Sequence, residues 1–336
     1  MSEQTAAEGR RRPPVVAVVT LLTVILTVLL IAFAWPAARS EPRDLPVAVA
    51  GPQPAVTQVA AGLEQAMPGG FEIKPVTDRA AAVQAIEDRD VYGAIIADPQ
   101  APEVLTASAG GPAVAQILTQ LASRMAAQDP SAAPKVTDVV PLPADDPRGA
   151  GLAAGALPLV LGGILAAALL TQLVQAGARR MAGALAFAVS GGLALAAVLQ
   201  FWLGSFEGNY LANSGVIAMS IAAISLTLLG LEWLIGTAGL GLGAATMMLL
   251  GNPLSGLTSA PEMLPSGWGS LGQLLPPGAA GTALRSVSFF DGAGAGQSFV
   301  VLSCWLAAGL ALCGLGALRS RQRVVQAHPE RSPVTV

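Results

Sequence analysis

The chain has 336 residues, of which 53% are hydrophobic and only 12% are charged, and its formal net charge is −3. Soluble proteins carry about 25% charged residues, so this depletion indicates a membrane protein. The absence of net positive charge argues against nucleic-acid binding. We therefore predict a polytopic α-helical membrane protein whose surroundings are membrane lipid, with no nucleic-acid partner.

Six apolar blocks have about the 20 residues that a helix needs to cross a bilayer. The fourth and fifth blocks meet at Glu232 and Trp233, where we predict a very tight turn. The alternative is one long bent helix, which would leave five spans and move the C-terminus to the other side of the membrane. The six predicted spans are residues 15–35, 151–174, 181–203, 213–231, 234–250 and 298–318.

The arginines favour six spans. With six, nine arginines of the tails and of the link between the second and third spans share one side, whereas the short loops of the other side contain only Arg285. Positive charge in short loops marks the cytoplasmic face. The tails 1–14 and 319–336 are therefore predicted to be cytoplasmic and residues 36–150 extracytoplasmic. Sixteen arginines against two lysines are typical of a GC-rich bacterial genome, so the predicted location is the bacterial cytoplasmic membrane.

The first span has an alternative interpretation as a cleaved signal peptide. Three arginines precede it, and Ala32-Phe33-Ala34 is an acceptable cleavage site. The apolar run, however, exceeds the 7–15 residues or so that signal peptides use. We favour a retained transmembrane helix.

Residues 36–150 alternate between strand and helix patterns, which predicts a small α/β domain. The domain carries eight basic and fourteen acidic side chains, consistent with a solvated surface. Asp78 is a predicted N-cap. The predicted strands are residues 45–51, 71–76, 91–97, 103–107 and 136–142, and the predicted helices are 54–67, 79–88 and 112–127.

Residues 251–297, inside the five-helix membrane domain 151–318, are apolar but are interrupted by Gly and Pro. Non-helical backbone is tolerated at membrane depth only where protein or a water cavity satisfies it. We expect two short helices that dip into the membrane from outside, as a re-entrant segment. The alternative is an ordinary external loop.

Two segments carry a resemblance to a known family. Residues 88–96, with the sequence DRDVYGAII, are one of them. The other is the 251–297 segment, and together with the order of spans and insert they resemble the ABC-2 type permeases of the YhgE/Pip-like subgroup. The resemblance covers nearly the whole chain and implies that the 251–297 segment is an external re-entrant hairpin. Its candidate residues are Pro253, Pro261, Glu262, Trp268, Pro276 and Arg285.

The resemblance implies a permease subunit of an exporter for an amphiphilic or cell-envelope substrate, acting as a homodimer. The chain has no Gly-x-x-x-x-Gly-Lys-Ser/Thr loop, so ATP hydrolysis would require a separate ATP-binding subunit. Gln175, Arg179 and Arg180 are the candidate contact residues for that subunit, although the two arginines could equally be topology anchors. No catalytic, cofactor or metal residues are predicted, and the chain is not expected to be an enzyme. The alternative function is a non-transporting receptor or scaffold whose external domain binds an envelope or secretion partner.

Overall fold

The computed structural model describes residues 14–98, 100–128, 133–175 and 177–327. An α/β domain sits on one end of a set of apolar helices. In chain order the described elements are α1 (Val15–Ala38), β1 (Leu45–Ala50), α2 (Gln53–Ala66), β2 (Phe71–Val76), α3 (Arg79–Glu87), β3 (Gly93–Ile96), β4 (Glu103–Thr106), α4 (Pro112–Gln128), β5 (Lys135–Asp138), α5 (Ala150–Leu173), α6 (Gly177–Ala197), α7 (Tyr210–Ile235), α8 (Thr237–Thr246), α9 (Trp268–Gln273), α10 (Pro276–Phe289) and α11 (Gly296–Ala327).

The domain is built on a five-stranded sheet of order β2-β1-β3-β4-β5. The β3–β4 pair is antiparallel and the other three pairs are parallel. The predicted strands and helices of the domain are all present, although β3 and β5 each have 4 residues and are shorter than predicted. Asp78 caps α3 as predicted, because its carboxylate accepts a hydrogen bond of 2.9 Å from the N–H of Ala81.

Both hydrophobic cores of the domain include residues from the segment that precedes α11. On one face of the sheet, α2 and α4 pack over Val47 and Val49, and Ala260 and Met263 join this core. On the other face, α3 packs over Ala48, and Phe290 completes the cluster. The domain therefore shares its cores with the membrane part of the chain and is not suspended from it by flexible links.

Five helices of the described chain are long and apolar enough to cross a membrane. The polytopic helical class predicted from the sequence is therefore confirmed in this coarse form. One of the five changes geometry near its end, because α6 continues into a π-helical turn, Val198–Trp202. The five are Val15–Ala38, Ala150–Leu173, Gly177–Trp202, Tyr210–Ile235 and Gly296–Arg319.

The central helix of this set is α7. In its most apolar stretch 78% of the residues are buried, against 33% or less for the other four. Small residues let its neighbours approach closely, as expected for membrane helices. A Cβ added at Gly163 of α5 would lie 2.7 Å from Ile224, and one at Gly192 of α6 would lie 2.6 Å from the carbonyl oxygen of Ser214.

The predicted fifth span, residues 234–250, is shorter than a full span. Helix α8 has 10 residues and continues into a π-helical turn, Met247–Gly251, of 5 residues. At 1.5 Å per residue the two reach roughly 22 Å, less than the roughly 30 Å of a bilayer core. Six full spans are therefore not established.

The turn before α8 lies at Gly236, where φ is 73°, and not at Glu232 and Trp233 as predicted. A Cβ at Gly239 would lie 2.4 Å from the carbonyl oxygen of Leu231, and one at Gly243 would lie 3.1 Å from Leu228. Because successive turns of α8 meet earlier turns of α7, the two helices form an antiparallel hairpin. The alternative of one long bent helix is wrong, and the chain returns towards the domain.

The helix set therefore has two distinct ends. The domain end is where α1 finishes, α5, α7 and α11 begin, and the α/β domain packs. The far end holds the α5–α6 and α7–α8 connections, and Trp233 marks it, since Gly177 of α6 and Gly316 of α11 both pack against that indole. Helix α11 extends beyond the level of Trp233 towards the C-terminus.

The packing of α11 on α7 gives a direct test with a control in the same helix. A Cβ at Gly309 would lie 2.7 Å from the backbone nitrogen of Thr227, whereas nothing lies within 4 Å of one at Gly314. We expect Gly309→Ala to destabilise the protein by about 1–3 kcal/mol through overpacking. Gly314→Ala should be neutral or stabilising by up to about 1 kcal/mol. Thermal unfolding in detergent measures both, and equal melting temperatures for the two variants would contradict this packing.

Candidate functional site

The segment between α8 and α11 joins the domain to the helices. It contains a 3-10 turn, Pro261–Met263, followed by α9 and α10. Eleven of the fourteen residues of α10 are buried. A Cβ at Gly272 of α9 would lie only 1.8 Å from the carbonyl oxygen of Leu254, so this fold needs glycine there. An ordinary exposed loop does not describe the segment, and the two short helices predicted from the sequence are present.

The structure separates the predicted residues of this segment into two groups. Pro253, Pro261, Trp268 and Pro276 shape the backbone or the helix ends. Pro261 and Pro276 are the first residues of their helical turns, where the missing N–H costs nothing. Trp268 packs edge-on against Trp35 of α1, with ring centroids 5.5 Å apart. The remaining two, Glu262 and Arg285, belong to a charged cluster.

Arg285 is a cation buried in α10, with only 4% of its surface exposed. Its Nη2 donates to the carbonyl oxygen of Leu257 over 3.0 Å. Its Nε has no hydrogen-bond partner within the described chain. Burial, reinforced by the nearby charge of Arg89, lowers the pKa of Arg285 to about 10, so the side chain remains protonated at neutral pH.

Arg89 reaches the cluster from the domain. It follows α3 with φ of 63°, in the left-handed region. The N–H of Asp90 donates to the carbonyl oxygen of Ala85, and the N–H of Arg89 donates to that of Ile86. This is a Schellman motif, in which glycine is the usual residue at the left-handed position. An arginine there costs about 1–2 kcal/mol of backbone strain.

The side chain of Arg89 connects the domain to α10. Its Nη1 donates to the carbonyl oxygen of Thr282 over 3.1 Å and to the hydroxyl of Ser286. Its guanidinium lies 5.3 Å from the ring centroid of Phe290. Burial lowers the pKa of Arg89. Sequence analysis did not select Arg89 as a site residue, and the only local signal was an arginine where a helix end calls for glycine.

Tyr92 and Glu262 form a second connection. The phenol donates to the carboxylate of Glu262 over 2.8 Å. Burial and then the charge of Glu262 raise the pKa of the Tyr92 phenol. Close by, Nη1 of Arg43 donates to the carbonyl oxygens of Met263 and Leu264. The domain is thus hydrogen-bonded on several sides to the segment that contains Glu262.

We call Arg89, Tyr92, Glu262 and Arg285 the junction cluster. It holds two guanidinium groups and one carboxylate. Among the described residues, no carboxylate lies within 4.0 Å of either guanidinium. Positive charge at the junction is therefore only partly balanced.

The junction cluster borders a cavity of about 610 Å³ between the domain and the helix ends. Arg89, Tyr92 and Glu262 line it. Its other polar walls come from α9, α10 and the start of α11, and its apolar walls come from the domain, Leu274 and Phe290. The polar lining residues outside the cluster are Ser270, Gln273, Thr282, Gln297 and Ser298. No group of three or more His, Cys, Asp or Glu side chains in the described chain could hold a metal ion.

The predicted ATPase-contact residues lie at the far end, and the structure distinguishes between them. Arg180 interacts with other residues of this chain. Its Nη1 lies 3.3 Å from the Glu232 carboxylate, and its Nε donates to the carbonyl oxygen of Val174 over 2.6 Å. Gln175 and Arg179 are exposed. Glu232, predicted to lie in a turn, instead fixes the last turn of α7 to the start of α6.

No protein-family model matches this chain, and no curated protein or solved structure matches it either. The function must therefore be inferred from the arrangement of the described residues.

The buried phenol at the junction can be titrated directly. The chain has two tyrosines, so a Tyr210→Phe variant leaves Tyr92 as the sole source of tyrosinate absorbance. Because its folded pKa lies above the ordinary value of about 10, the stability linked to Tyr92 is complete below that pH and is lost as the pH rises beyond it. We expect no tyrosinate near pH 10 in the folded protein and normal ionisation in denaturant. Ordinary titration in the folded protein would contradict the buried Tyr92–Glu262 contact.

Proposed function

We propose that this chain is the membrane-spanning permease subunit of an ABC-2 type exporter in a bacterial cytoplasmic membrane. It would move an amphiphilic or cell-envelope substrate with energy from a separate ATP-binding subunit, and would act as a homodimer. The observation that carries the proposal is the two-ended architecture. A packed domain with a polar cavity lies at one end, and exposed and paired charges lie at the other.

The distribution of charge along the spanning helices supports this proposal. The Asp, Glu, Lys and Arg residues within the five long helices, up to Arg319, lie at the far end, as Arg179, Arg180, Glu232 and Arg319. Carriers driven by protons or sodium ions place ionisable groups in the membrane interior. The far-end arrangement instead fits energy supplied by a partner that docks on the cytoplasmic face. It also agrees with the rule that positive charge stays inside.

The junction favours transport over the receptor or scaffold alternative. A receptor domain needs no rigid connection to the membrane helices. Here Ala260, Met263 and Phe290 complete the cores of the domain. Arg89 is hydrogen-bonded to α10, and α10 packs against the central helix α7. A change at the cavity would therefore be transmitted to the helix that contacts the rest of the bundle.

Arg179 provides the sharpest test of the proposed partner. The intact protein is isolated from its native membrane in mild detergent, and copurifying ATP-binding proteins are quantified by mass spectrometry. We expect a stoichiometric ATP-binding protein with the wild type. Arg179→Glu should reduce the amount of copurifying ATP-binding protein by at least about tenfold, which corresponds to about 1.4 kcal/mol of binding free energy, because the substitution reverses an exposed charge at the proposed contact. Arg124→Glu, an exposed arginine of α4 in the domain, is the matched control and should retain the partner.

Two results would overturn the proposal. The first is the absence of any ATP-binding protein under conditions in which a known permease keeps its own. The second is robust transport by the chain alone in liposomes without an ATPase. Stoichiometric recovery of an envelope or secretion protein that binds only the α/β domain would support the receptor alternative.

A further inference from the structure

We propose that the cavity at the junction binds a phosphate ester, that is, a phosphate group with an organic substituent. The phosphate would lie beside Arg89 and the first turn of α11. The substituent would occupy the apolar part of the cavity. This inference concerns the chain alone and does not depend on a partner ATPase.

The charge of the junction cluster supports an anionic ligand. The cluster carries two guanidinium groups against the single carboxylate of Glu262, and the phenol of Tyr92 is neutral at physiological pH. Glu262 also lines the cavity, but it accepts a hydrogen bond from Tyr92. Leaving a partly buried cation without a counterion is costly. A bound anion would supply the missing charge.

The N-terminus of α11 is a second feature that favours an anion in the cavity. Gln297 and Ser298, in the first turn of this 32-residue helix, line the cavity. The helix follows Ala295, whose methyl side chain cannot accept a capping hydrogen bond. The first backbone hydrogen bond into this turn is from the N–H of Phe299 to the carbonyl oxygen of Ala295. Free N–H groups and the helix dipole at an N-terminus are a favourable site for phosphate.

A buried guanidinium with an unpartnered donor, that of Arg285, belongs to the same charged cluster. Arg285 is 4% exposed and its Nε lacks a partner in the described chain. Its electrostatic neighbours are Arg89, Tyr92 and Glu262, which all line the cavity. Buried polar groups are nearly always hydrogen-bonded, so the cost of burying this guanidinium is incompletely offset by the protein. An anion in the cavity beside Arg89 would lower that cost through its charge.

Arg89 itself occupies a strained backbone position, with φ of 63°. A glycine would end α3 without strain at residue 89. The arginine instead places a planar group with several donors at the wall of the cavity. Guanidinium groups bind phosphate through two parallel hydrogen bonds, which a lysine cannot do. The strain at Arg89 is therefore consistent with a binding role.

The dimensions set the class of ligand. About 610 Å³ is far more than a bare phosphate fills and lies within the range of small-molecule sites, roughly 300–1,000 Å³. Apolar walls from Ile86, Val91 and Leu274 require a substituent that is not purely ionic. Both a phospholipid headgroup and a small soluble phosphate ester satisfy this description.

Native mass spectrometry of the intact chain tests the proposal. The protein is equilibrated with vesicles of equal phosphatidylglycerol and phosphatidylcholine, and retained lipid is counted. Phosphatidylglycerol has no cation to offset its phosphate. In a parallel arm, glycerol phosphate is added in detergent, and the melting temperature is compared with that in chloride at equal ionic strength. Retention of phosphatidylglycerol identifies a lipid source, and stabilisation by glycerol phosphate identifies a soluble one.

Arg89→Gly is the decisive variant, because glycine fits the left-handed backbone and preserves the end of α3. We expect Arg89→Gly to weaken binding of whichever phosphate compound binds the wild type by about 10- to 100-fold, the usual effect of removing a charge-assisted contact. Arg89→Lys should lose less affinity for that compound than Arg89→Gly does, and Arg124→Ala should bind it like the wild type. Equal binding by Arg89→Gly and the wild type would overturn the proposal. So would a wild type that shows no preference for phosphatidylglycerol and no response to glycerol phosphate.

Discussion

The rest of the structure depends on the junction, where residues of the segment before α11 complete the hydrophobic cores of the α/β domain. Arg89 lies at the end of a domain helix, and its partner carbonyl belongs to Thr282, 193 residues further along the chain. Phe290 beneath it is part of a domain core. The shared cores make the α/β domain and the helix ends one packed body, and Arg89 adds a hydrogen bond between them. Arg89 also lies close enough to Arg285 for its charge to add to the effect of burial in lowering the pKa of Arg285.

A second constraint gives the molecule its two ends. Helix α7 runs away from the domain, and at Gly236 the chain reverses into α8. The reversal returns the chain to the domain end, although α8 is shorter than a bilayer core. Arg180 and Glu232 then fix the far end by an ion pair. The proposed ligand cavity and the proposed partner surface are thereby placed at opposite ends of α7.

Local patterns in the sequence predicted the elements well and their long-range contacts poorly. Period-2 and helical patterns located the strands and helices of the domain, and the N-cap at Asp78 depends on residues three apart. The sequence predicts a turn at Glu232 and Trp233, but the chain turns at Gly236, which tolerates a positive φ. Glu262 and Arg285 were selected as members of one segment, whereas their convergence with Arg89 depends on tertiary packing that no local pattern encodes.

The central claim is that the two ends face opposite sides of a membrane, with the domain outside. Single cysteines in a background lacking Cys304 and Cys313 would test it with a membrane-impermeant maleimide in intact cells. Exposed positions are available at Gln58 in the domain and at Gln175 and Thr237 at the far end. The account predicts labelling of Gln58→Cys in intact cells, and of the other two only after permeabilisation. Labelling of all three in intact cells, or of the far-end pair alone, would contradict it.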